Sequence, residues 1–208
     1  MYVIAVASVV GLAAFLERLF SLQSEKVLPK RISKQIFSMI REGRQEHAEV
    51  LISENESPLA CIFAAILRYS AAPLPLLKEA AEEAGRQEAA RLERFTSALG
   101  SVASVAPLIG LLGTVTGMIA VFQRVAETGV GNPLDMAAGI WESLLTTAFG
   151  LAVGIPALIA HRHTLSRIDS LVLALESEAL KLVEAVEAQK TADRPAPERP
   201  QMASAAEE

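Results

Sequence analysis

Uncharged and charged blocks alternate along the chain, and the uncharged ones have the length of membrane helices. Residues 1–16 carry no charge before Glu17, and residues 95–123 are uncharged between Arg94 and Arg124. A third apolar run, residues 134–160, holds only Asp135 and Glu142. A spanning helix needs about 20 apolar residues (range about 17–25) to cross a hydrocarbon core of roughly 30 Å. The second and third runs meet that requirement. The first is short, and it lacks both a basic start and a small-x-small site near its end, so it does not read as a signal peptide. Asn132-Pro133 predicts the start of the third helix: a capping residue, then proline in the first turn, with Asp135 favoured by the helix dipole. Pro107 and Pro156 fall inside the second and third helices and predict kinks.

The charged blocks also read as helices. Ser57-Pro58 opens an amphipathic run that Pro73 and Pro75 stop. Residues 76–96, rich in Ala, Glu and Arg, are expected to run on into the second membrane helix. After the third, Leu165, Ile168, Val172, Leu175, Ala179, Leu182 and Val186 keep a 3-4 spacing. That is a seam for packing on a neighbouring helix, and another subunit is one source of it. The segment from Thr191 is proline-rich and charged, with the composition of a disordered tail. No stretch has strand periodicity and no internal repeat is visible.

The expected architecture is therefore an all-α integral membrane protein, three transmembrane helices with long helical cytoplasmic extensions. Its divisions are a first span at 1–20, a cytoplasmic helical segment at 21–97 and a second span at 98–123. A periplasmic loop at 124–132 follows, then a third span at 133–160, an amphipathic helix at 161–190 and a tail at 191–208. Ten Lys/Arg (Arg18, Lys26, Lys30, Arg31, Lys34, Arg86, Arg91, Arg94, Arg162 and Arg167) flank the spans on one side, against Arg124 on the other. The positive-inside bias then puts the N-terminus outside, with the middle segment and C-terminus in the cytoplasm.

Composition narrows the chemistry. The chain has 208 residues, 51% of them hydrophobic and 21% charged, with 19 Lys+Arg against 24 Asp+Glu. A net charge of −5 argues against a nucleic-acid face. One cysteine, Cys61, excludes an internal disulfide framework. Three histidines, His47, His161 and His163, make a poor metal set, and the last two, two positions apart, do not share a helix face. They read as interfacial anchors. No nucleophile–base arrangement is present, so neither an enzymatic activity nor a cofactor is expected.

Two features stand out in the apolar runs. Ala106, Gly110, Gly113, Gly117 and Ala120 form one ridge of small residues, and Ser143, Thr147, Gly150 and Gly154 form a matching one. Small ridges let membrane helices approach closely, so packing is the reading for the glycines. Glu142 lies about 13 Å along its helix from Pro133, at about 1.5 Å per residue. A carboxylate at that depth costs at least about 2.5–3.5 kcal/mol and faces a bundle interior or water, where it marks an ion path. The competing reading is a protonated packing device. Thr114, Thr116, Thr146 and Thr147 add hydroxyls at similar depth, although a lone membrane threonine often bonds only its own helix. Trp141, beside Glu142, reads as a subunit contact.

APLIGLLGTVTGMIAVF (106–122) and GNPLDMAAGIWESLLTTAFGLAVGIPALIA (131–160) resemble the core of the MotA/TolQ/ExbB proton-channel family. FLERL (15–19) and SPLA (57–60) also fit, and the resemblance covers about residues 1–185. It implies a homo-oligomer, a pentamer, around a dimer of an ExbD/TolR-like single-span protein that carries a membrane Asp. It implies that Thr114 and Thr147 match pore threonines and Glu142 the pore glutamate, with Thr146 alongside. Three spans favour the ExbB/TolQ branch over four-span MotA-type members. The implied role is to energise outer-membrane transport through a TonB-like protein from the bacterial inner membrane. A TolQ-like envelope role and a non-conducting scaffold are the alternatives. Two departures stand out: Trp141 precedes the glutamate where small residues are usual, and the chain starts inside helix one, without the periplasmic extension of some members.

Overall fold

The computed structural model describes residues 2–94, 96–129 and 132–192. Its elements are helices: α1 (Tyr2–Ser21), α2 (Ser24–Val27), α3 (Lys30–Arg41), α4 (Gln45–Ser53), α5 (Pro58–Arg68), α6 (Leu74–Glu93), α7 (Thr96–Thr128) and α8 (Pro133–Ala192). Among the described residues none forms a strand. The expected tail lies outside the described residues except for Thr191 and Ala192, which end α8.

Local signals act where the sequence puts them. The Ser57 side chain accepts the Ala60 N–H at 3.3 Å and caps α5, with Pro58 in the first turn. The Asn132 side chain accepts the Leu134 N–H at 3.1 Å at the start of α8. Gly43, at φ 73°, ends α3: its N–H reaches the Ile40 carbonyl and the Arg44 N–H the Met39 carbonyl, the paired bonds of a left-handed glycine stop.

Two expectations change. First, the third span and the amphipathic helix are one unbroken helix of 60 residues, about 90 Å at about 1.5 Å per residue. Pro156 sits within it and Pro107 within α7, without ending either. Second, α6 does not run on into α7. The Arg18 guanidinium, 4% exposed and paired with Glu17, donates to the Leu92 carbonyl at 2.8 Å. That carbonyl would otherwise accept the Thr96 N–H of a continuous helix. Arg18 is thus buried at a joint between α1, α6 and α7.

One large core gathers α3–α6 around the second half of α8. Ile36, Ile40, Leu59, Ile62, Phe63, Ile66 and Leu77 pack on Ile168, Leu171, Leu175, Leu182, Val183 and Val186. Phe37 meets Phe63 edge to face at 5.8 Å. The heptad seam therefore finds its partners within this chain, and no second subunit is needed to cover it. Polar contacts fix its register: the Ser33 hydroxyl donates to Glu178 at 2.7 Å and Lys190 to the Ala72 carbonyl at 2.6 Å. Burial pushes the Glu178 carboxyl up, but hydrogen bonds from Lys181 and Ser33 outweigh it and hold it below its ordinary range. Burial, reinforced by Glu88, raises the Cys61 thiol.

The other half of the molecule is apolar on its outside. Among the described residues α7 and α8 are long and apolar enough to cross a membrane. Val6, Val9, Val10, Leu12 and Leu16 of α1, Leu108, Leu111 and Leu112 of α7, and Ile155 and Ile159 of α8 are all exposed. Such a surface is stable in lipid and an aggregation hazard in water.

Candidate functional site

The site is the seam where α7 and α8 run antiparallel. Where a glycine stands, the facing backbone fills the space. A Cβ on Gly150 would lie 2.8 Å from both the Ala106 carbonyl oxygen and Gly110 Cα, and one on Gly110 would lie 3.0 Å from the Thr146 carbonyl oxygen. Farther along, a Cβ on Gly113 would meet the Thr146 hydroxyl at 2.5 Å, and one on Gly117 would meet Ser143 Cβ at 2.9 Å. Gly154 faces the Pro107 ring. Gly110, Gly113, Gly117, Gly150 and Gly154 thus each face the opposite helix across the seam.

That closeness brings three candidate threonines together. Thr146 and Thr147 donate across the seam to the Gly110 carbonyl at 3.2 and 3.0 Å. Thr114 and Thr147 place their hydroxyls in direct contact, and Thr114 also reaches the Gly110 and Ser143 carbonyls at 3.4 Å. Ser143, 4% exposed, donates to the Gly139 carbonyl at 2.8 Å. The hydroxyls are thus half-buried and share one carbonyl as a focus, a polar knot held between bare helix backbones. Thr116 stands apart, exposed, bonding the Leu112 and Gly113 carbonyls of its own helix.

Glu142 is not in the knot. It precedes Ser143, turned about 100° away on the helix, and it is exposed, with no hydrogen bond or ion pair among the described residues. Trp141 is 67% exposed beside it. A carboxyl and an indole on the outer face at membrane depth need a protein surface or water against them, since lipid tails satisfy neither.

Some seam residues escaped the sequence reading. Gly100 admits the His161 ring, and Thr96 and Thr164 are buried at the same end. Their signal was available: 96, 100, 103, 107, 110 and 114 continue a 4-3-4-3-4 stripe on α7, and 147, 150, 154, 157, 161 and 164 continue one on α8. His161 faces inward and is no mere interfacial anchor. The burial of Arg18 had no periodic signal.

Long apolar helices joined by a small-residue seam, with a knot of hydroxyls between them, define an integral membrane protein. Residues 54–177, well over half the chain, match the MotA/TolQ/ExbB proton channel family, and the chain belongs to that family. Its relatives place it on the ExbB/TolQ side. The biopolymer transport protein ExbB-like 1 of Synechocystis sp. is 34% identical over 146 residues, 65% of this chain and 58% of its own length. The biopolymer transport protein ExbB of Salmonella typhimurium is 33% identical over 120 residues, covering 48% and 49%. That of Pseudomonas putida is 29% identical over 171 residues, covering 76% and 50%. The chain spans about half the length of these relatives.

Proposed function

We propose that this chain is a three-span subunit of a proton-driven motor in the bacterial inner membrane, energising outer-membrane transport through a TonB-like protein. The observation that carries it is the division of labour on α8: Thr146 and Thr147 donate to α7 and Ser143 packs against Gly117, while Glu142 is left on the outer face with no partner among the described residues. A chain that buried Glu142 only for packing would give it a hydrogen bond within its own bundle. Here its partner must come from outside: copies of the chain, five by the family resemblance, and an ExbD/TolR-like single-span protein whose membrane Asp carries the proton. Glu142 tunes the electrostatics of that path, and Thr114, Thr146 and Thr147 hold water or bond the protonated Asp. The third span is α1, which lies against α7 and α8 with an apolar outer face.

Proteoliposomes with the partner and a pH dye test this. Parent complexes are expected to pass protons and Glu142→Gln complexes to assemble but lose most of the flux. Thr147→Val removes a bond to the Gly110 carbonyl, and such interhelical bonds average only about 0.6 kcal/mol in a membrane protein. Packing alone therefore predicts little change, and a proton role predicts loss of flux in an assembled complex. If both variants conduct like the parent, the scaffold reading replaces this one. The orientation has its own check: a reporter fused after Ala192 is expected in the cytoplasm and one inserted at Gly129 in the periplasm, as the ten-to-one Lys/Arg bias requires. The opposite pattern would reverse the sidedness of the path.

A further inference from the structure

The α7–α8 seam has a second polar end. From Thr147 to His161 the α8 stripe holds only Gly150, Gly154 and Ala157, and the α7 stripe facing it holds Gly110, Pro107, Ala103 and Gly100. The two polar ends are thus about 21 Å apart, at about 1.5 Å per residue, with a dry, close-packed interval between them. At the far end the imidazole of His161 lies against bare backbone: a Cβ on Gly100 would sit 2.9 Å from its Cε1 and 3.0 Å from its Nε2. Among the described residues three buried side-chain atoms have no hydrogen-bond partner, and two are here, His161 Nδ1 and Thr96 Oγ1. Thr96 is 1% exposed. The other hydroxyl at this end, Thr164, donates to the Ala160 carbonyl at 2.9 Å.

We propose that His161 is a second proton-binding group on this chain, separate from Glu142, and that its protonation is coupled to parting of α7 and α8 at the Thr96–Gly100 end. The proposal rests on the proton-motor reading for its biological use. A neutral imidazole has one donor and one acceptor, whereas the protonated ring has two donors. Protonation would place an N–H at Nδ1, an atom that is buried and has no hydrogen-bond partner among the described residues. The acceptor on the same face is Thr96 Oγ1, which now stands outside bonding reach. To meet it, or to reach water, the ring must leave Gly100, and α8 must shift against α7.

The surrounding charges favour the same coupling. The neighbouring elements bring Glu17 and Arg18 of α1, and Glu93 and Arg94 at the α6–α7 joint. On α8 itself are Arg162, His163, Arg167 and Asp169. Arg18 is buried and bonded to the Leu92 carbonyl and Glu17, and among the described residues no carboxylate is bonded to Nδ1 of the ring. Charging and opening therefore go together.

The test uses the full chain with its partner in proteoliposomes, followed by amide hydrogen exchange between about pH 8 and pH 5, where histidines titrate. After correction for intrinsic rates, protection over residues 96–103 is expected to fall about tenfold on acidification in the parent. In His161→Gln, which keeps hydrogen bonding but cannot take the proton, it should stay constant. A merely structural role for the ring would move protection equally at both pH values. Gly100→Ala supplies an independent variant, because its Cβ displaces the ring and should lower protection already at pH 8. Acid-insensitive protection in the parent, an unchanged acid response in His161→Gln, or parent-like protection at pH 8 in Gly100→Ala would each overturn the proposal. A complex that opens with acid through His161 yet passes no protons removes the motor reading and leaves the switch. A conducting complex whose exchange ignores His161 removes the switch alone.

Discussion

Gly150→Leu is expected to abolish recovery of the assembled protein from membranes. The Cβ of any residue at 150 would lie 2.8 Å from Gly110 Cα and from the Ala106 carbonyl oxygen, both backbone atoms of α7. A side chain can rotate away from an intruder, but a helix backbone can only move as a unit. Overpacking a well-filled site costs typically about 1–3 kcal/mol even where neighbours can adjust. Here the whole helix must retreat, breaking the Thr146 and Thr147 bonds to the Gly110 carbonyl as it goes. Gly113→Leu should be milder, because the obstacle there is the Thr146 side chain. Gly85→Ala provides the contrast: nothing lies within 4 Å of its Cβ position, so in α6 it should be neutral or stabilising by up to about 1 kcal/mol. Detergent-extracted yield, size-exclusion profile and thermal aggregation of the three variants check the order. Parent-like assembly of Gly150→Leu would mean that the α7–α8 contact is not the one described.

Truncation after Ser166 is expected to unfold the α3–α6 bundle, whereas truncation after Ala192 should leave it intact. The shorter cut removes Ile168, Leu171, Leu175, Leu182, Val183 and Val186, each at most 4% exposed, and uncovers their partners. Full burial of one such side chain is worth about 1.5–3 kcal/mol. Even after reduction by the roughly 10–40% that a compact unfolded chain retains, the loss of six matches the whole stability of an ordinary domain, about 5–15 kcal/mol. The cut also removes Glu178 from Ser33 and Lys190 from the Ala72 carbonyl. The longer chain keeps all of these. Limited proteolysis within residues 24–93, compared between the two truncations, gives the answer. Equal protection would show that the bundle folds without α8.

Much of this molecule is legible in one dimension because the membrane imposes a simple rule. Backbone polar groups in lipid must be satisfied within a helix, so a long uncharged run has few alternatives to a helix. The runs at 95–123 and 134–160 thus announce α7 and the first half of α8, and the glycines at 110, 113, 117, 150 and 154 announce a close seam by their spacing alone. The caps at Ser57 and Asn132 are equally local, each involving neighbours within three residues.

Periodicity, composition or a neighbouring residue accounts for the apolar helices, their starts, the small ridges and the 3-4 stripe from Leu165 to Val186. Which faces meet is set by packing between distant segments. The stripe on α8 closes on α3, α5 and α6 of the same chain, because the 60-residue helix carries it back past the bundle that residues 24–93 form. Glu142 and Thr147 are both polar residues of the same apolar run, yet one faces out and the other is bonded to α7, since five positions on a helix turn a side chain by about 140°. At the α6–α7 joint the Leu92 carbonyl is met by Arg18, 74 residues away, and the inward turn of His161 depends on Gly100, across the seam. Contacts at such separations leave no periodic mark on either segment, because each is fixed by a choice of partner that only the packed chain makes.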